Sequence, residues 1–310
     1  MANTLEMAKI FQTQLDKQIL QDATSNFLEV NAGQVIYHGG DTVKIPTIAT
    51  QGMGNYDRNK GYTQGSVTLT YKDYTLTQDR GRSFNLDAMD IDESNFLASA
   101  GNVLGEFQRT QVIPEIDSYR WSKVHQLAKG AGNATTYTVD SSTIIKNLKS
   151  DITKVEDVVG NHNGLVLIMN TYAAAALDEA LPKQLDPATF TAGSISDEVK
   201  SYDGIPIIKV SSARMMSDYT INDGSTTGQE AGGLVATSAA TQVNWLIFPQ
   251  TAPIAVSKTD TIRIFDPMQY QAANAWHIDY RKFHDLWIPS NKLATVFTNY
   301  VATNDVAVKA

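Results

Sequence analysis

Apolar residues recur at helical spacing over residues 90–130, and this pattern predicts one helix much longer than an ordinary domain needs. Carboxylates fill its first turn and Lys129-Gly130 closes it, as the helix dipole and a glycine C-cap favour. At about 1.5 Å per residue the helix would span roughly 55–60 Å. One end should therefore lie on a second domain or on another subunit. The apolar stripe consists of Phe96, Leu97, Ala100, Val103, Leu104, Phe107, Val112, Ile113, Ile116, Tyr119, Val124 and Leu127.

Pro114 lies between the two halves of this helical pattern. Proline has no N–H to donate to the carbonyl group of Thr110, and its ring clashes with the preceding turn. We therefore expect the helix to kink at Pro114.

Two alternating segments, residues 35–50 and 66–77, predict the strands of a long hairpin. Residues 51–65, which are polar and rich in glycine, join them. The alternation changes phase at Lys72-Asp73, which predicts a bulge or bend. The threonine-rich strands lack apolar cover on at least one face, and an isolated two-stranded ribbon is marginal in water. This hairpin should need a partner.

Residues 79–87 connect the hairpin to the long helix. Taken alone, the sequence Asp79-Arg80-Gly81-Arg82 predicts a charged turn. The guanidinium groups of Arg80 and Arg82 suit bidentate bonds to carboxylates better than a catalytic role.

After residue 130 the pattern predicts an α+β arrangement with sheet in the majority. An amphipathic helix over residues 145–159 ends at Gly160. Residues 165–169 form a continuous apolar run typical of a strand buried on both faces. Asn170 or Thr171 can cap the alanine-rich helix that follows at residues 172–181.

The remaining sequence predicts strands and one long polar loop, residues 220–233. Its strands are expected at residues 205–210, 243–249, 254–257, 262–265, 276–287 and 293–301.

The first thirty residues carry a weaker helical pattern, with Phe11, Leu15, Ile19 and Leu20 on one apolar stripe. Two interpretations remain open. The segment is either a helix packed on its own domain or an arm that lies on a neighbouring subunit.

Composition narrows the possible functions. The chain has 310 residues, a formal net charge of −8 and no cysteine. Disulfides and thiol catalysis are therefore excluded, and a basic nucleic-acid-binding surface is not expected for the chain as a whole. The sequence has no apolar run of about 18 residues, so no transmembrane helix is predicted. Its first residues are polar, so no secretory signal is predicted either.

The usual catalytic motifs are absent from the sequence. It has no Gly-x-Ser-x-Gly, no phosphate-binding glycine loop followed by Lys-Ser/Thr and no His-Glu-x-x-His. The best candidate for a metal site combines His277, Asp279, His284 and Asp285, because alternate strand residues share a face. Aromatic residues interleave with these four, so half-buried strand positions are the simpler interpretation. We expect neither enzymatic activity nor a cofactor.

The ordered series of these features resembles one family. It includes the hairpin, the long helix and four motifs, and it is similar to the major capsid proteins of tailed bacteriophages. The resemblance implies the Hong Kong 97-type capsid fold, an α+β fold with an N-terminal arm, an extended β-hairpin loop, a long spine helix, and peripheral and axial domains. The motifs are DRGRSF at 79–84, DIDES at 90–94, QRTQVIPEIDSYR at 108–120 and GIPII at 204–208.

The resemblance also implies a domain division. Residues 1–36 would be the arm, 37–89 the extended loop and 304–310 a tail. The peripheral domain would combine residues 90–161, including the spine helix at 90–130, with residues 250–288. The axial domain would combine residues 162–249 with 289–303, and loop 220–233 would lie near the centre of each hexamer or pentamer.

The implied function is structural. Subunits of this family assemble into hexamers and pentamers of an icosahedral shell around double-stranded DNA, which would place the chain in the virion after assembly in the host cytoplasm. The implied partners are further copies of the chain, DNA bound without sequence specificity, and portal, scaffolding or decoration proteins. No membrane is involved.

If the capsid interpretation holds, some charged side chains should lie at contacts between subunits. The arginines would bind carboxylates of a neighbour's spine helix or, alternatively, fold back on Asp79 or Asp87 of their own chain. Two lysines fall in the loop that some relatives cross-link to a neighbour's asparagine, although the sequence does not identify that asparagine. The candidate contacts are Arg80, Arg82, Glu93, Glu106, Glu115, Asp117, Lys60 and Lys72, with Pro114 as the kink of the spine.

Two other functions remain possible on sequence alone. An encapsulin-type shell of a bacterial nanocompartment shares the fold but encloses an enzyme instead of a genome. A soluble α+β enzyme is the more distant alternative, against which stand the absent motifs and the uncovered hairpin.

Overall fold

The computed structural model describes residues 23–37, 41–59, 61–87, 89, 100–160, 164–181, 186–192, 195–270 and 272–302. Over these residues the chain folds into a mixed helix-and-sheet architecture in which two main sheets pack against one central helix. None of the helices in these ranges combines the length and the apolar character that crossing a membrane requires.

Four α-helices and fifteen strands are described, together with short 3₁₀ segments and one π-helical turn. The helices are α1 (Ala100–Phe107), α2 (Ile113–Gly130), α3 (Ile144–Val159) and α4 (Thr171–Ala180). The strands are β1 (Ile36–Tyr37), β2 (Thr42–Thr50), β3 (Val67–Thr75), β4 (Gln78–Asp87), β5 (Ala134–Thr136), β6 (Leu165–Asn170), β7 (Asp186–Ala192), β8 (Ile195–Tyr202), β9 (Ile205–Val210), β10 (Tyr219–Ile221), β11 (Leu234–Ala236), β12 (Val243–Pro249), β13 (Ile254–Phe265), β14 (Ala275–Trp287) and β15 (Phe297–Tyr300).

The larger sheet has seven strands in the order β5-β15-β12-β6-β9-β8-β7. Helix α3 packs on one face, where Leu148 and Ile152 meet Leu167 of β6. Helix α2 packs on the other, where Trp121 meets Ile168. Every residue of β6 is buried, so the predicted strand with two covered faces is confirmed.

The two predicted helix signals in this layer are also confirmed. Gly160 ends α3 in the left-handed conformation, with φ of 84°. The side chain of Asn170 caps α4 by accepting a bond from the backbone N–H of Ala173 at 2.7 Å.

Three features of the observed sheets bear on the predicted boundaries. Strand β5 and helix α3 pack with the seven-stranded sheet, so residues 134–159 lie apart from the sheet that holds β13 and β14. The strands predicted at 254–257 and 262–265 are one strand, β13, because the ladder continues across an irregularity between Ser257 and Thr259. The predicted strand at 293–301 begins later, since Leu293–Thr295 is a 3₁₀ turn.

The smaller sheet has the order β13-β14-β4 and lies on the other side of the central helix. The charged turn predicted at residues 79–82 is wrong, because these residues belong to the third strand of this sheet. Residues 78–87 run antiparallel to β14 through ten paired positions. Alternation explains this result: Phe84 and Leu86 face the helix while Ser83 and Asn85 face away. Gly81 fits because the Cβ of any other residue would lie 2.8 Å from the Tyr280 carbonyl oxygen.

Strands β2 and β3 form the predicted hairpin. They pair in one unbroken antiparallel register from Thr42 opposite Thr75 to Thr50 opposite Val67. The bulge predicted at Lys72-Asp73 is therefore wrong. The sequence changes phase there because the side of β3 that meets the body of the protein begins at Tyr74, which packs with Val43 and Ile45.

The predicted long helix is described from residue 100 onwards, whereas residues 90–99 lie outside the described residues. Helices α1 and α2 are joined by a π-helical turn, Gln108–Val112, that directly precedes Pro114. In this turn the N–H of Ile113 bonds to the carbonyl of Gln108. The wider turn suits Pro114, which has no N–H to donate to the carbonyl of Thr110 and whose ring would clash with that carbonyl in a regular α-helix. Residues 100–130 span about 45 Å.

Of the predicted N-terminal arm, residues 1–22 lie outside the described residues. The segment that follows packs on its own chain. Phe27 and Leu28, in the 3₁₀ segment Asn26–Gln34, are buried against Trp121 and the core of the seven-stranded sheet.

A buried polar layer lies where α2 meets β14 and the 3₁₀ segment. Arg120 is fully buried and binds Glu29, whose carboxylate also accepts a bond from Ser257 Oγ at 2.9 Å. Burial raises the pKa of Glu29, but the positive charges of Arg120 and Lys282, together with hydrogen bonds from Arg120 and Ser257, outweigh burial and the net pKa is lowered. Lys282 itself bonds to Asp260 at 2.6 Å.

His284 completes this layer and has an unusual environment. Its ring is buried, meets Tyr119 edge to face at 5.7 Å, and leaves Nδ1 without a hydrogen-bond partner among the described residues. Burial, and then the positive charges of Arg120, Lys282 and Arg80, hold the pKa of His284 well below its ordinary value.

We predict a stability loss on mild acidification that depends on His284. Because the folded pKa is depressed, the unfolded chain binds more protons below about pH 6.5, and unfolding is favoured as pH falls. Replacing His284 with Gln should reduce the slope of unfolding free energy against pH between about 6.5 and 5 by up to about 1.4 kcal/mol per pH unit. Urea unfolding of the unassembled subunit at stepped pH measures both slopes.

Other groups do not obscure this comparison. The pKa of buried His125 is lowered to about 4, and its contribution is the same in both proteins. Equal slopes in wild type and His284→Gln would contradict the prediction.

Candidate assembly surface

The hairpin presents one apolar face to solvent. Cross-strand partners share a face, so the pairs Ile48–Leu69 and Thr50–Val67 lie beside each other, with Tyr71 next in line. Ile48, Val67, Leu69 and Tyr71 are 65%, 71%, 49% and 52% exposed. A contiguous exposed apolar patch of this kind marks an interaction site more often than a free surface.

Among the residues that the structure describes, cover on the opposite face is confined to its base. Val43 and Ile45 are buried there against Ile254 and Val256 of β13. Farther out the same face carries Thr47 opposite Thr70 and Ala49 opposite Thr68, so it is much more polar. Within the described ranges, the body of the protein therefore holds the hairpin at its base and leaves the distal apolar face uncovered.

The tip of the hairpin adds two aromatic side chains. Tyr56 and Tyr62 lie with ring centroids 4.9 Å apart, and both are exposed. Backbone bonds in both directions between Asp57 and Gly61 close the turn. Met53 beside them is fully exposed.

Cross-linking through either of the two candidate lysines stays a prediction. Lys60 lies outside the described residues. Lys72 is exposed on β3, and its Nζ lies 5.5 Å from the ring centroid of Tyr74.

Arg80 forms the bidentate pair expected of a guanidinium fork, but within one chain. Its Nε bonds to Oε1 of Glu115 at 2.7 Å and its Nη2 to Oε2 at 3.4 Å. Both side chains are mostly buried, so Glu115 is occupied without any neighbour. The alternative that the arginines fold back on Asp79 or Asp87 is wrong, because Asp79 binds Arg281 and Asp87 accepts a bond from the Met89 N–H.

Arg82 differs from Arg80. It is exposed, and both Nη atoms bond to the backbone carbonyl of Glu230 at 3.3 Å. Among the described residues it has no carboxylate partner. Glu106, its proposed partner in a neighbour, is exposed and pairs with Arg109 one turn along the helix at 2.8 Å. Glu93 lies outside the described residues.

Asp117 is not available to another subunit, and the prediction that placed it at an intersubunit contact is wrong. Its side chain is 0% exposed. One carboxylate oxygen accepts bonds from the N–H and hydroxyl of Thr24, and the other from those of Ser25. Arg214 adds a longer bond at 3.3 Å. Asp117 thus fixes the 3₁₀ segment to α2 in its own chain.

The four residues considered for a metal site are divided between two places. His277 bonds to Asp279 at 2.9 Å on the outer side of β14, which confirms that they share a face. Asp285 is buried, and its carboxylate accepts bonds from the N–H and hydroxyl of Thr77 and from the Tyr119 hydroxyl. No group of three or more potential metal ligands occurs in the part of the chain that the structure covers.

Sequence reasoning missed the residues that hold this region together. Arg120 and Glu29 are separated by most of the helix and hairpin, and their charges look like ordinary surface charges in sequence. One signal was present: Arg120 falls among the buried positions of α2, next to Trp121. A charge at such a position implies a buried partner.

No protein-family model and no curated protein sequence matches the chain. Many solved structures do match, and several of them come from bacteriophages.

Three of the solved structures illustrate the similarity. The capsid of Cyanophage P-SCSP1u gives a TM-score of 0.57 at 11% identity, covering 86% of this chain and 85% of that one. The mature capsid of bacteriophage PhiM1 gives 0.54 at 12% identity, covering 86% and 84%. A virus-like particle from Pyrococcus furiosus gives 0.52 at 10% identity, covering 95% and 99%.

At identities this low, the structural matches establish the shared fold and nothing more. The chain has the mixed helix-and-sheet fold of phage capsid chains over most of its length, as the resemblance in sequence predicted.

Proposed function

We propose that this chain is a structural major capsid protein of a tailed bacteriophage, which assembles into hexamers and pentamers of an icosahedral shell around double-stranded DNA. One observation carries the proposal: a chain with the fold of phage capsid chains extends a hairpin whose distal apolar face is uncovered. Contact with another copy of the chain would remove this apolar face from water. We propose no enzymatic role.

The hairpin supplies the contact that a shell requires. Fully burying a side chain the size of Leu, Ile or Val contributes about 1.5–3 kcal/mol. The hairpin places Ile48, Val67, Leu69 and Tyr71 on one side, and the same contact would repeat at each subunit. Individually modest terms would then add over a closed assembly.

The domain division of the Hong Kong 97-type fold can be drawn on the observed sheets. The extended loop would be the β2–β3 hairpin. The peripheral domain would contain the long helix with β13, β14 and β4. The axial domain would contain the seven-stranded sheet with α3 and α4, so residues 134–159 would belong to it. Residues 1–36 would form an arm that ends on the core.

The remaining partners follow from the same proposal. The packaged DNA would be held without sequence specificity, and a net charge of −8 suits an inner wall that does not bind phosphates tightly. Portal, scaffolding or decoration proteins would complete the particle. The protein would be part of the virion and assemble in the host cytoplasm.

Pro114 has a place in this proposal as the point where the spine bends. The π-helical turn before it already departs from regular helix geometry. A bend at this position would let the helix follow the curvature of the shell.

An encapsulin-type shell is the second candidate. The observation that favours it is the match to the Pyrococcus furiosus particle, which covers 95% of this chain and 99% of that one. Both candidates require self-assembly, and they differ in what the shell encloses.

Isolation of the particles tests the proposed function. The purified chain should form closed shells of uniform diameter under electron microscopy. Shells from their native source should contain double-stranded DNA that resists added nuclease. Shells that contain protein cargo without DNA would favour the encapsulin-type candidate. A stable, compact monomer at high concentration would contradict both.

The contribution of the hairpin can be tested on one cross-strand pair. We expect the double variant Ile48→Lys with Leu69→Glu to fold normally, because both side chains already face water, and to lose shell assembly. The new charges lie opposite each other and preserve the strand pairing. Size-exclusion chromatography and electron microscopy report assembly, and circular dichroism reports folding.

A matched control uses the other face of the same hairpin. The double variant Thr47→Lys with Thr70→Glu places the same charges one residue away, where the apolar face is untouched. It should assemble. Equal assembly by both double variants would remove the apolar face from the proposal.

The proposed role of Arg82 needs a double-mutant cycle. Arg82→Ala, Glu106→Ala and the combination should show a coupling of about 0.3–1 kcal/mol per contact in guanidinium disassembly of shells. The coupling should weaken with added salt. No coupling is expected in unfolding of the unassembled subunit.

The Arg109–Glu106 pair provides the control cycle, because it already forms within one subunit. Its coupling should be present in both measurements. Coupling between Arg82 and Glu106 in the isolated subunit would contradict the proposed contact. The absence of coupling between them in shells would contradict it as well.

A further inference from the structure

Both ends of loop 222–233, which we call the strap, line a cleft. The cleft has a volume of about 380 Å³ and lies between β4, the long helix and the strap. Phe84 and Phe107 contribute apolar lining, and Lys282 and His284 contribute polar groups that are otherwise buried. The strap joins β10 to β11, so both of its ends are close together.

One guanidinium group holds both ends of the strap. Arg80 Nη1 bonds to the carbonyl of Asn222 at 2.9 Å, and Nη2 lies 3.4 Å from the carbonyl of Gly233. The same guanidinium is fixed from behind by Glu115 on α2. Arg80 therefore connects the strap to β4 and to the helix at once.

Arg82 supports the middle of the strap. It bonds to the Glu230 carbonyl, and the strap approaches it through glycines. A Cβ on Gly224 or Gly232 would lie 3.2 or 3.3 Å from Arg82 Nη1. Both glycines also have positive φ, 77° and 69°, which other residues adopt only with strain.

The two arginines hold the strap with different strength. Arg80 is mostly buried and charge-paired, so its bonds are kept in place by the surrounding structure. Arg82 is exposed and has no carboxylate partner among the described residues, and both of its strap bonds, at 3.3 Å, go to one carbonyl. Bonds that are open to water, from a side chain that no ion pair fixes, contribute less. Arg80 should be the principal fastener and Arg82 a secondary one.

The strap is itself a pre-formed unit. The carboxylate of Asp223 accepts bonds from the N–H groups of Ser225 and Thr226 and from the Thr226 hydroxyl. The carboxylate of Glu230 accepts a bond from the Gly228 N–H. With these local bonds intact, the strap can leave the cleft as one piece.

We propose that the strap is a closure over this cleft, fastened by Arg80, and that its release gives solvent and reagents access to His284. The observations that carry the proposal are the single guanidinium at both strap ends, the glycines fitted around Arg82 and the polar groups beneath. It stands independently of the proposed shell function, because every contact lies within one subunit.

Two measurements on the unassembled full chain test the closure. Hydrogen exchange reports opening of the strap amides, residues 222–233. Carbethoxylation with diethyl pyrocarbonate, located by peptide mass spectrometry, reports access to the His284 imidazole. His277, on the outer side of β14, is the internal reference and should react equally in all variants.

The variants separate the two fasteners. In Arg80→Met, strap exchange should rise by about tenfold or more, since bonds from a charged donor are lost at both ends. In Arg82→Met it should rise by about two- to threefold. Modification of His284 should increase in the same order. Arg109→Met removes an exposed arginine from the long helix and should change neither measurement.

Gly232→Ala tests the closure without altering either arginine. The added methyl group meets Arg82 and strains a positive φ, so the strap should open severalfold more often. Arg80→Met leaves Glu115 without its partner, which can prevent folding. If Arg80→Met does not fold, Gly232→Ala decides the result.

Wild-type exchange of the strap in both Arg80→Met and Gly232→Ala would overturn the proposal. So would wild-type exchange in Gly232→Ala alone if Arg80→Met does not fold. Faster strap exchange with unchanged modification of His284 would also overturn it, because the strap would then not cover the cleft.

Discussion

Helix α2 is the element on which the rest of the structure depends, because both main sheets pack against it. Ten of its 18 residues are buried, so it is an interior helix and not an amphipathic surface helix. Trp121 and Val124 contact the seven-stranded sheet, while Ile116 contacts the three-stranded sheet. Asp117 and Arg120, both fully buried, bind the segment that precedes the hairpin. Buried charges of this kind are costly unless every partner is present, which ties the position of that segment to the helix.

The hairpin follows the opposite rule. Its base is fixed by Val43 and Ile45 in a small apolar cluster, whereas its outer part has no cover within the described chain. The centre of the structure is thus fixed by many contacts, whereas the outer part of the hairpin is fixed by few. This contrast is what a subunit needs if its own fold must be complete before assembly while its contacts wait for another copy.

Local periodicity predicted much of the fold. The fully buried β6, the glycine at the end of α3, the Asn170 cap and the hairpin strands were all apparent because each depends on neighbouring residues. Strand β4 was misread because Arg80, Gly81 and Arg82 resemble a turn, and only pairing with β14 shows why glycine is required there. The burial of Asp117 could not be predicted, since its partners Thr24 and Ser25 lie more than ninety positions away in sequence. The sequence favoured a neighbour's helix, or Asp79 or Asp87 of the same chain, as the partner of Arg80, because it could not show that β4 brings Arg80 against Glu115 of its own chain.

The unbroken register of the hairpin has a mechanical consequence. Its nine-residue strands extend about 30 Å, and with no bulge their cross-strand bonds lie perpendicular to the long axis. Tension along that axis loads the ladder in shear, so that many bonds must fail together, whereas tension across it would open them one after another. The same bar is anchored at one end, through Val43 and Ile45, to β13 of the smaller sheet. A force applied across the distal end would therefore reach β13 as torque about this anchored base.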